Sequence, residues 1–216
     1  MIINHEHPKF QAVWNKTTKK RIDNKWNGGY FYSKEICENI IPKVKTDRNW
    51  ITVNIQDIGC NHSIFFVHNN LRMDYYDHLR KYDDLIMVCG IPETCNKVKE
   101  IGIPVYLPLN VDVMYVKSFQ HPKTKKVAFT GRAVKRKDLI LPDGIDYIEN
   151  LDRESFLNEM ASYEKIYAVG RIAIEAKVLG CEILPYDTRF PDPDIWQVVD
   201  NSEAAQMLQV MVNRYE

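Results

Sequence analysis

Four short runs of unbroken apolar residues constrain this chain more than any other feature. Ser63-Ile-Phe-Phe-Val67, Leu85-Ile-Met-Val88, Val127-Ala-Phe-Thr130 and Ile166-Tyr-Ala-Val169 are each too short to be a helix. None alternates with polar residues as a strand with one wet face would, so each reads as a strand buried on both sides. Between them lie stretches with helical spacing. Strands that alternate with helices make β-α-β units, and these build parallel sheets covered on both faces. The expected fold class is therefore α/β, with two Rossmann-like parallel-sheet domains over residues 1–119 and 120–216. The polar stretch Lys117 to Lys126 is the expected linker between them.

Turn and cap residues fill in the rhythm. In the first half, Met1–Asn4, Gln11–Trp14, Trp50–Ile55 and Pro104–Leu107 are further expected strands. Helices are expected over Tyr30–Val44, around Asp74–Tyr82, and from Pro92, with Gly102 as the residue that ends the last of these. In the second half, Ile145–Ile148 and Glu182–Tyr186 are strands. Asp152 caps a helix that carries Phe156, Leu157 and Met160 on one face. Arg171–Leu179 is a helix closed by Gly180, and a last helix starts near Ser202.

Bulk composition narrows the function classes. Lys plus Arg and Asp plus Glu number 29 each, which argues against the broad basic face of a general DNA-binding protein. The charge is uneven, however. His121 to Lys137 holds seven Lys or Arg and no acid, whereas Asp187 to Glu203 holds five acids and one Arg. The basic stretch is either a solvated linker or a place for an anionic ligand. The five cysteines are scattered and form no Cys-x-x-Cys pair, which fits reduced thiols and a cytoplasmic setting. Cys60 and His62 form a Cys-x-His without a second pair at zinc spacing, so no metal site is expected. No apolar run approaches the roughly twenty residues that span a bilayer.

Two segments can carry chemistry. In Ala168-Val-Gly-Arg-Ile-Ala-Ile-Glu-Ala-Lys-Val-Leu-Gly-Cys181, a strand meets a helix through Gly170. Backbone N–H groups at a helix start, with the helix dipole, favour a phosphate. Arg171 adds a forked cation, and Glu175, one turn on, can accept hydrogen bonds from ribose hydroxyls. The plainer alternative is an exposed i,i+4 ion pair. The other segment is Phe129-Thr-Gly-Arg-Ala-Val-Lys-Arg-Lys137, where Gly131 can turn tightly and Arg132, Lys135, Arg136 and Lys137 can offset a diphosphate. Both follow strands directly, and open parallel sheets bind ligands beyond the carboxyl ends of their strands. Neither segment is Gly-x-Gly-x-x-Gly or a Walker-type loop, which disfavours a dehydrogenase or an ATPase.

Residues 127–187 resemble the C-terminal domain of GT-B-type glycosyltransferases. The Gly131-Arg132 pair, with Lys135 or Lys137, matches that family's contacts to the donor diphosphate. Gly170, Glu175, Ala176 and Gly180 match its nucleotide-recognising helix, with the glutamate on the ribose. The resemblance implies sugar transfer from a UDP- or GDP-sugar type of donor, with no tightly bound cofactor and no metal. The acceptor (small molecule, glycan or nucleic acid) would enter between the halves, and the resemblance allows the last helix to cross back to the first domain. Two departures stand out. Many retaining members carry a second glutamate eight positions before the first, and here that position is Tyr167. The chain is also short for the family. A non-catalytic nucleotide or nucleotide-sugar binder and a glycosyltransferase acting on nucleic acid are the alternative readings.

A transferase also needs a group to take the acceptor's proton. His68, at the end of a buried strand, is the leading candidate, with Asp57 and the pair His5 and Glu6 behind it. Asp192-Pro-Asp194 has the outline of a metal-binding Asp-x-Asp but sits in a proline-rich loop. Tyr75, Tyr76 and Tyr82 could meet an acceptor, although core packing is their commoner use.

Overall fold

The computed structural model describes residues 1–12, 28–53, 58–68, 76–130, 139 and 141–216. The chain forms two compact units, Met1–Pro108 with Ser202–Glu216, and Leu109–Asn201. The expected boundary at 119/120 and the expected linker Lys117–Lys126 therefore fall inside the second unit. The last helix belongs to the first.

The first unit holds five parallel strands in the order β1 (Ile2–Ile3), β2 (Asn49–Ile51), β3 (Ser63–Val67), β4 (Leu85–Cys89) and β5 (Ile103–Tyr106). Every residue of β3 and β4 is buried, as their unbroken apolar runs require. Phe65, Val67, Leu85, Met87 and Cys89 face one core, shared with Phe10, Tyr76, Leu79 and Val98. Ile64, Phe66, Ile86 and Val88 alternate with them and are also buried, and Trp50 stacks on Phe66. Each such side chain contributes about 1.5–3 kcal/mol by leaving water, so both faces of the sheet hold the unit together.

The helical segments follow local chemistry. Helix α1 (Gly28–Glu35) runs on as a π turn over Ile36–Ile40 and a 3-10 turn over Ile41–Lys43. Pro42 has no N–H to continue an α ladder, and the Ile41 N–H reaches back to the Ile36 carbonyl instead. Between Tyr76 and Tyr82 the expected helix is a 3-10 turn over Asp77–Lys81. The expected strand Gln11–Trp14 is not formed in its described part. Residues 8–12 are helical, with the Gln11 N–H on the His7 carbonyl at 3.1 Å. Pro8 stands first in that turn, where its missing N–H costs nothing, and the turn delivers Phe10 to the core.

Helix α2 (Pro92–Val98) begins at its proline. Gly102 follows it for a different reason from the expected left-handed stop. A Cβ there would lie 2.7 Å from the Leu85 carbonyl oxygen and 2.9 Å from Met87 Cγ, so the position needs an absent side chain.

The second unit opens with α3 (Val113–Lys117), a helix the sequence did not announce. The Asp112 carboxylate caps it by accepting the Tyr115 N–H. Four parallel strands follow, β6 (Lys125–Phe129), β7 (Asp146–Tyr147), β8 (Tyr163–Tyr167) and β9 (Glu182–Leu184). Their spatial order is β7-β6-β8-β9. β8 starts three residues before the expected Ile166 because Glu164 and Lys165, which look like loop residues, form ion pairs with neighbouring strands. Glu164 meets Lys126 of β6 at 2.7 Å, and Lys165 meets Glu182 of β9 at 2.9 Å. Helices α4 (Arg153–Ala161) and α5 (Arg171–Val178) bury Leu157, Met160, Ala173, Ile174 and Ala176. Asp152 caps α4 as expected, accepting the Ser155 N–H at 2.9 Å.

Helix α6 (Asn201–Val212) returns the chain to the first unit, where Lys43 donates to Ser202 and Gln209 bonds the Lys45 backbone. Both sheets are wholly parallel in an α/β setting, consistent with Rossmann-like units. Among the described residues no helix is long and apolar enough to cross a membrane. Gly102→Ala is expected to lower stability by about 1–3 kcal/mol through forced overpacking against β4, measurable as a fall in the urea midpoint.

Candidate functional site

The spatial order of the second sheet reverses between β6 and β8: the chain goes outward from β6 to β7, then crosses back to β8. Such a reversal opens a crevice beyond the carboxyl ends of the two strands that flank it. The turns leaving β6 and β8 are the two segments singled out in the sequence. Thr130 ends the described part of the first turn, and its N–H and Oγ1 both donate to the Tyr167 carbonyl, at 3.1 and 3.0 Å. Gly131, Arg132, Lys135, Arg136 and Lys137 lie outside the described residues.

The second turn is fully described. Gly170 has φ 68° and ψ −143°, a conformation that a residue with a Cβ avoids. Its carbonyl accepts the first helical bond of α5, from the Ala173 N–H at 3.0 Å. Arg171 follows as the first residue of α5. Glu175 points inward, with 1% of its side chain exposed, and holds two arginines. Arg153 grips both carboxylate oxygens, Nη1 to Oε2 at 2.8 Å and Nη2 to Oε1 at 2.7 Å. Arg171 Nε lies 3.0 Å from Oε1. Burial alone would raise the Glu175 carboxyl; Arg153 and then Arg171 outweigh it and leave it below its ordinary value of 4.5.

Glu175 is thus not part of an exposed pair. It is the centre of a buried triad that joins the starts of α4 and α5. Two guanidinium groups thus share one carboxylate. Arg153 and Arg171 each open a helix, where the dipole disfavours a cation and favours an anion. Arg153 was not anticipated, because its pairing with Glu175 spans 22 residues and leaves no local pattern. Tyr115 of α3 senses the same charges: its phenol is raised by burial first and then by Glu154, with Glu175 contributing.

The described part of the basic stretch is already occupied. Lys123 donates to the Ala161 and Leu179 carbonyls and to Cys181 Sγ, and Lys125 and Lys126 pair with Glu159 and Glu164. Asp192 is exposed and caps the turn that follows it, accepting the Asp194 N–H at 2.8 Å, and Asp194 lies 3.8 Å from Lys177. Among the described residues, no three His, Cys, Asp or Glu side chains are grouped to hold a metal ion.

In the first unit, His68 leaves β3 and its Nε2–H donates to the Thr52 carbonyl at 2.8 Å, which leaves Nδ1 to accept a proton. Burial lowers its pKa, so the ring is neutral at pH 7. His5, just beyond β1, is also lowered, to about 4, by burial and then by His68 nearby. His5 and Glu6 line a cavity of about 170 Å³ with Tyr30, Ser33, Cys37 and Glu38. The secondary pair of candidates thus sits on a cavity beside the leading one. Asp57 and Tyr75 lie outside the described residues. Tyr76 is wholly buried against Phe65, a packing role, and Tyr82 packs against the same core.

A different cluster gathers at the amino ends of β2, β3 and β4. His62 Nδ1 meets Asp84 Oδ2 at 2.5 Å, and its Nε2 meets Asp47 Oδ1 at 2.8 Å. Arg48, almost wholly buried, bonds Asp84 Oδ1 at 2.8 Å and the Tyr215 carbonyl at 2.9 Å. His62 and Asp84 both have positive φ, 50° and 54°, an uncommon backbone state for residues with a Cβ. The cluster fastens three strand starts to the segment after α6.

Comparison with family models, with curated proteins and with solved structures finds no match for this chain.

Glu175→Ala leaves two buried guanidinium groups uncompensated and is expected to cost about 3–5 kcal/mol, read from urea denaturation at pH 7. Because the folded Glu175 carboxyl lies below 4.5, its contribution is present above that value and fades as pH falls through the folded one. Asp84 first and Asp47 second raise His62 above 6.5. Their help to folding is therefore full below 6.5 and fades as pH rises through the folded value. An NMR titration should give a His62 midpoint above 6.5, and Asp84→Asn should lower it.

Proposed function

We propose that the second unit binds the diphosphate of a nucleotide-sugar, of the UDP- or GDP-sugar type, and that the protein is a cytoplasmic glycosyltransferase of the GT-B kind. The observation that carries this reading is the coincidence of the β6/β8 reversal with the Gly170-Arg171 turn that opens α5. A diphosphate leaving group gathers negative charge as its sugar departs. Cations already fixed in place stabilise that charge without reorganising at the moment of reaction. In this reading Arg171 and the backbone N–H groups at the start of α5 meet the diphosphate, helped by Arg132 and Lys137.

Glu175 fixes the fork of Arg171 and, through Arg153, the start of α4. A carboxylate has about four lone-pair sites. Three guanidinium contacts leave one such site, but Glu175 is enclosed, so the ribose role implied by the resemblance requires that enclosure to open. His68 takes the acceptor's proton on Nδ1. Its lowered pKa keeps that atom unprotonated at pH 7, at the cost of making it a weaker base.

The engagement of Glu175 by two arginines, with Tyr167 at the position of a second acid, favours one rival reading: a binder that holds a nucleotide-sugar without turning it over. The nucleic-acid reading rests on the basic stretch, in which Lys123, Lys125 and Lys126 have protein partners.

Calorimetric titration and thermal shift with UDP, GDP and their sugars test the proposal. One nucleotide diphosphate should raise the melting temperature, as any ligand selective for the folded state must. Arg171→Met should weaken its binding about 10–100-fold, the loss of one charge-assisted contact of about 1.5–3 kcal/mol. Absence of any shift across the panel would overturn the site. Binding with no sugar released or transferred would leave the non-catalytic reading standing.

A further inference from the structure

We propose that the cavity beside His5 binds a small primary amine in its ammonium form, with Glu6 and the His5 imidazole accepting its N–H groups. The cavity lies beyond the carboxyl ends of β1 and β2, the edge at which open parallel sheets take ligands. One wall is the loop that follows β1, from Asn4 to Glu6. The other is a single face of α1 and its π turn, where Ser33, Cys37 and Glu38 recur at helical spacing. Both walls are fixed by hydrogen bonds. Asn4 Oδ1 accepts the N–H groups of Glu6 and His7 at 3.0 and 3.1 Å, which sets the turn that carries His5. Ser33 and Thr52 share a hydroxyl hydrogen bond of 2.7 Å, and Cys37 Sγ lies 3.7 Å from the same Thr52 Oγ1, so the helical wall is tied to the end of β2. Phe10 and Tyr30 pack edge-on against the His5 ring, with centroids at 4.8 and 5.4 Å.

The lining selects the chemistry of the ligand. His5 is nine-tenths buried, and its Nδ1 meets no hydrogen-bond partner among the described residues. A buried polar atom without a partner is costly, and a ligand that bonds it removes that cost. The ring is neutral at pH 7, and its Nε2–H tautomer leaves a lone pair on Nδ1 for a donor. Two carboxylates, Glu6 and Glu38, stand in the lining against one ammonium group, that of Lys34, which lies 3.8 Å from Glu38. Burial first, with Glu38 and Glu6 adding to it, keeps Cys37 a neutral thiol. The lining is therefore negative by one charge. It repels an anion and attracts a cation, and an ammonium group brings three N–H donors to the acceptors present.

Volume limits the ligand's size. The cavity measures about 170 Å³. A cavity of about 150 Å³ encloses a benzene ring, so about six non-hydrogen atoms fit here. A whole nucleotide does not, and the site is therefore separate from the diphosphate site of the second unit and independent of it. A short amino alcohol has the right size and charge. Ligands of so few atoms bind in roughly the millimolar range.

The probe is ethanolamine, titrated into the whole protein at pH 7 and followed by backbone and imidazole NMR. Ethylene glycol and sodium glycolate, its neutral and anionic counterparts, are titrated in parallel. Ethanolamine should saturate and move the resonances of His5, Ser33 and Cys37, and the other two should not. Equal binding of ethylene glycol, saturation by glycolate, shifts confined to residues outside the cavity, or no shift with ethanolamine would each overturn the proposal. Glu6→Gln removes one exposed charge and should weaken ethanolamine binding about fivefold. His5→Phe keeps a ring against Phe10 and Tyr30 and should weaken it about tenfold. Unchanged affinity in a folded His5→Phe would overturn the site. If that variant does not fold, unchanged affinity in Glu6→Gln overturns it instead.

Discussion

Parallel pairing is the constraint from which the rest of this structure follows. Strands that all run one way leave a sheet at one edge, so every turn that begins a crossover emerges there. In the first unit that edge gathers His5, Thr52, His68 and Cys89. In the second it gathers Thr130 and the Gly170 turn. The opposite edges hold fastenings, as the His62–Asp84–Arg48 cluster illustrates. The two sheets differ in one respect that bears on function. The first runs β1 to β5 in simple succession, whereas the second reverses between β6 and β8, the kind of reversal at which open α/β sheets bind ligands.

Much of this was legible in the residues, for a physical reason. Strands buried on both faces need unbroken apolar runs, and β3 and β4 stand where those runs are. Asp152 capped the helix it was expected to cap, because a cap acts over three residues and leaves a local trace. What was not legible depends on partners distant in sequence. β8 begins at Tyr163 although Glu164 and Lys165 disguise it, since their partners Lys126 and Glu182 are on other strands. Gln11 and Ala12, which close the helical turn at 8–12, were read as the start of a strand because Phe10 alone carries the turn's core contact, too little for a period to show. α3 was missed for the same shortness.

The candidate site divides along the same line. Gly170 and Arg171 were visible as a strand–turn–helix, and the sheet order gives their place meaning. Glu175 was visible as a residue but not as an environment: its spacing from Arg171 fits an exposed pair equally well, and only Arg153, on another helix, turns it into a buried centre. A carboxylate so enclosed costs a great deal of desolvation, repaid only because two guanidinium groups surround it. His5 was ranked below His68, yet it is His5 that borders a cavity.

The chain leaves the first unit at Pro108 and comes back to it at Ser202, so the second unit is an uninterrupted stretch and the first is not. That arrangement has a consequence for biosynthesis. Residues 109–201 hold everything their own sheet needs as soon as they clear the ribosome. The amino-terminal sheet, complete in its strands, must wait for the helix that carries Gln209 and the segment that carries Tyr215. At about 5–20 residues per second the delay is roughly 5–20 s. For that interval the nascent first sheet is without its last partners.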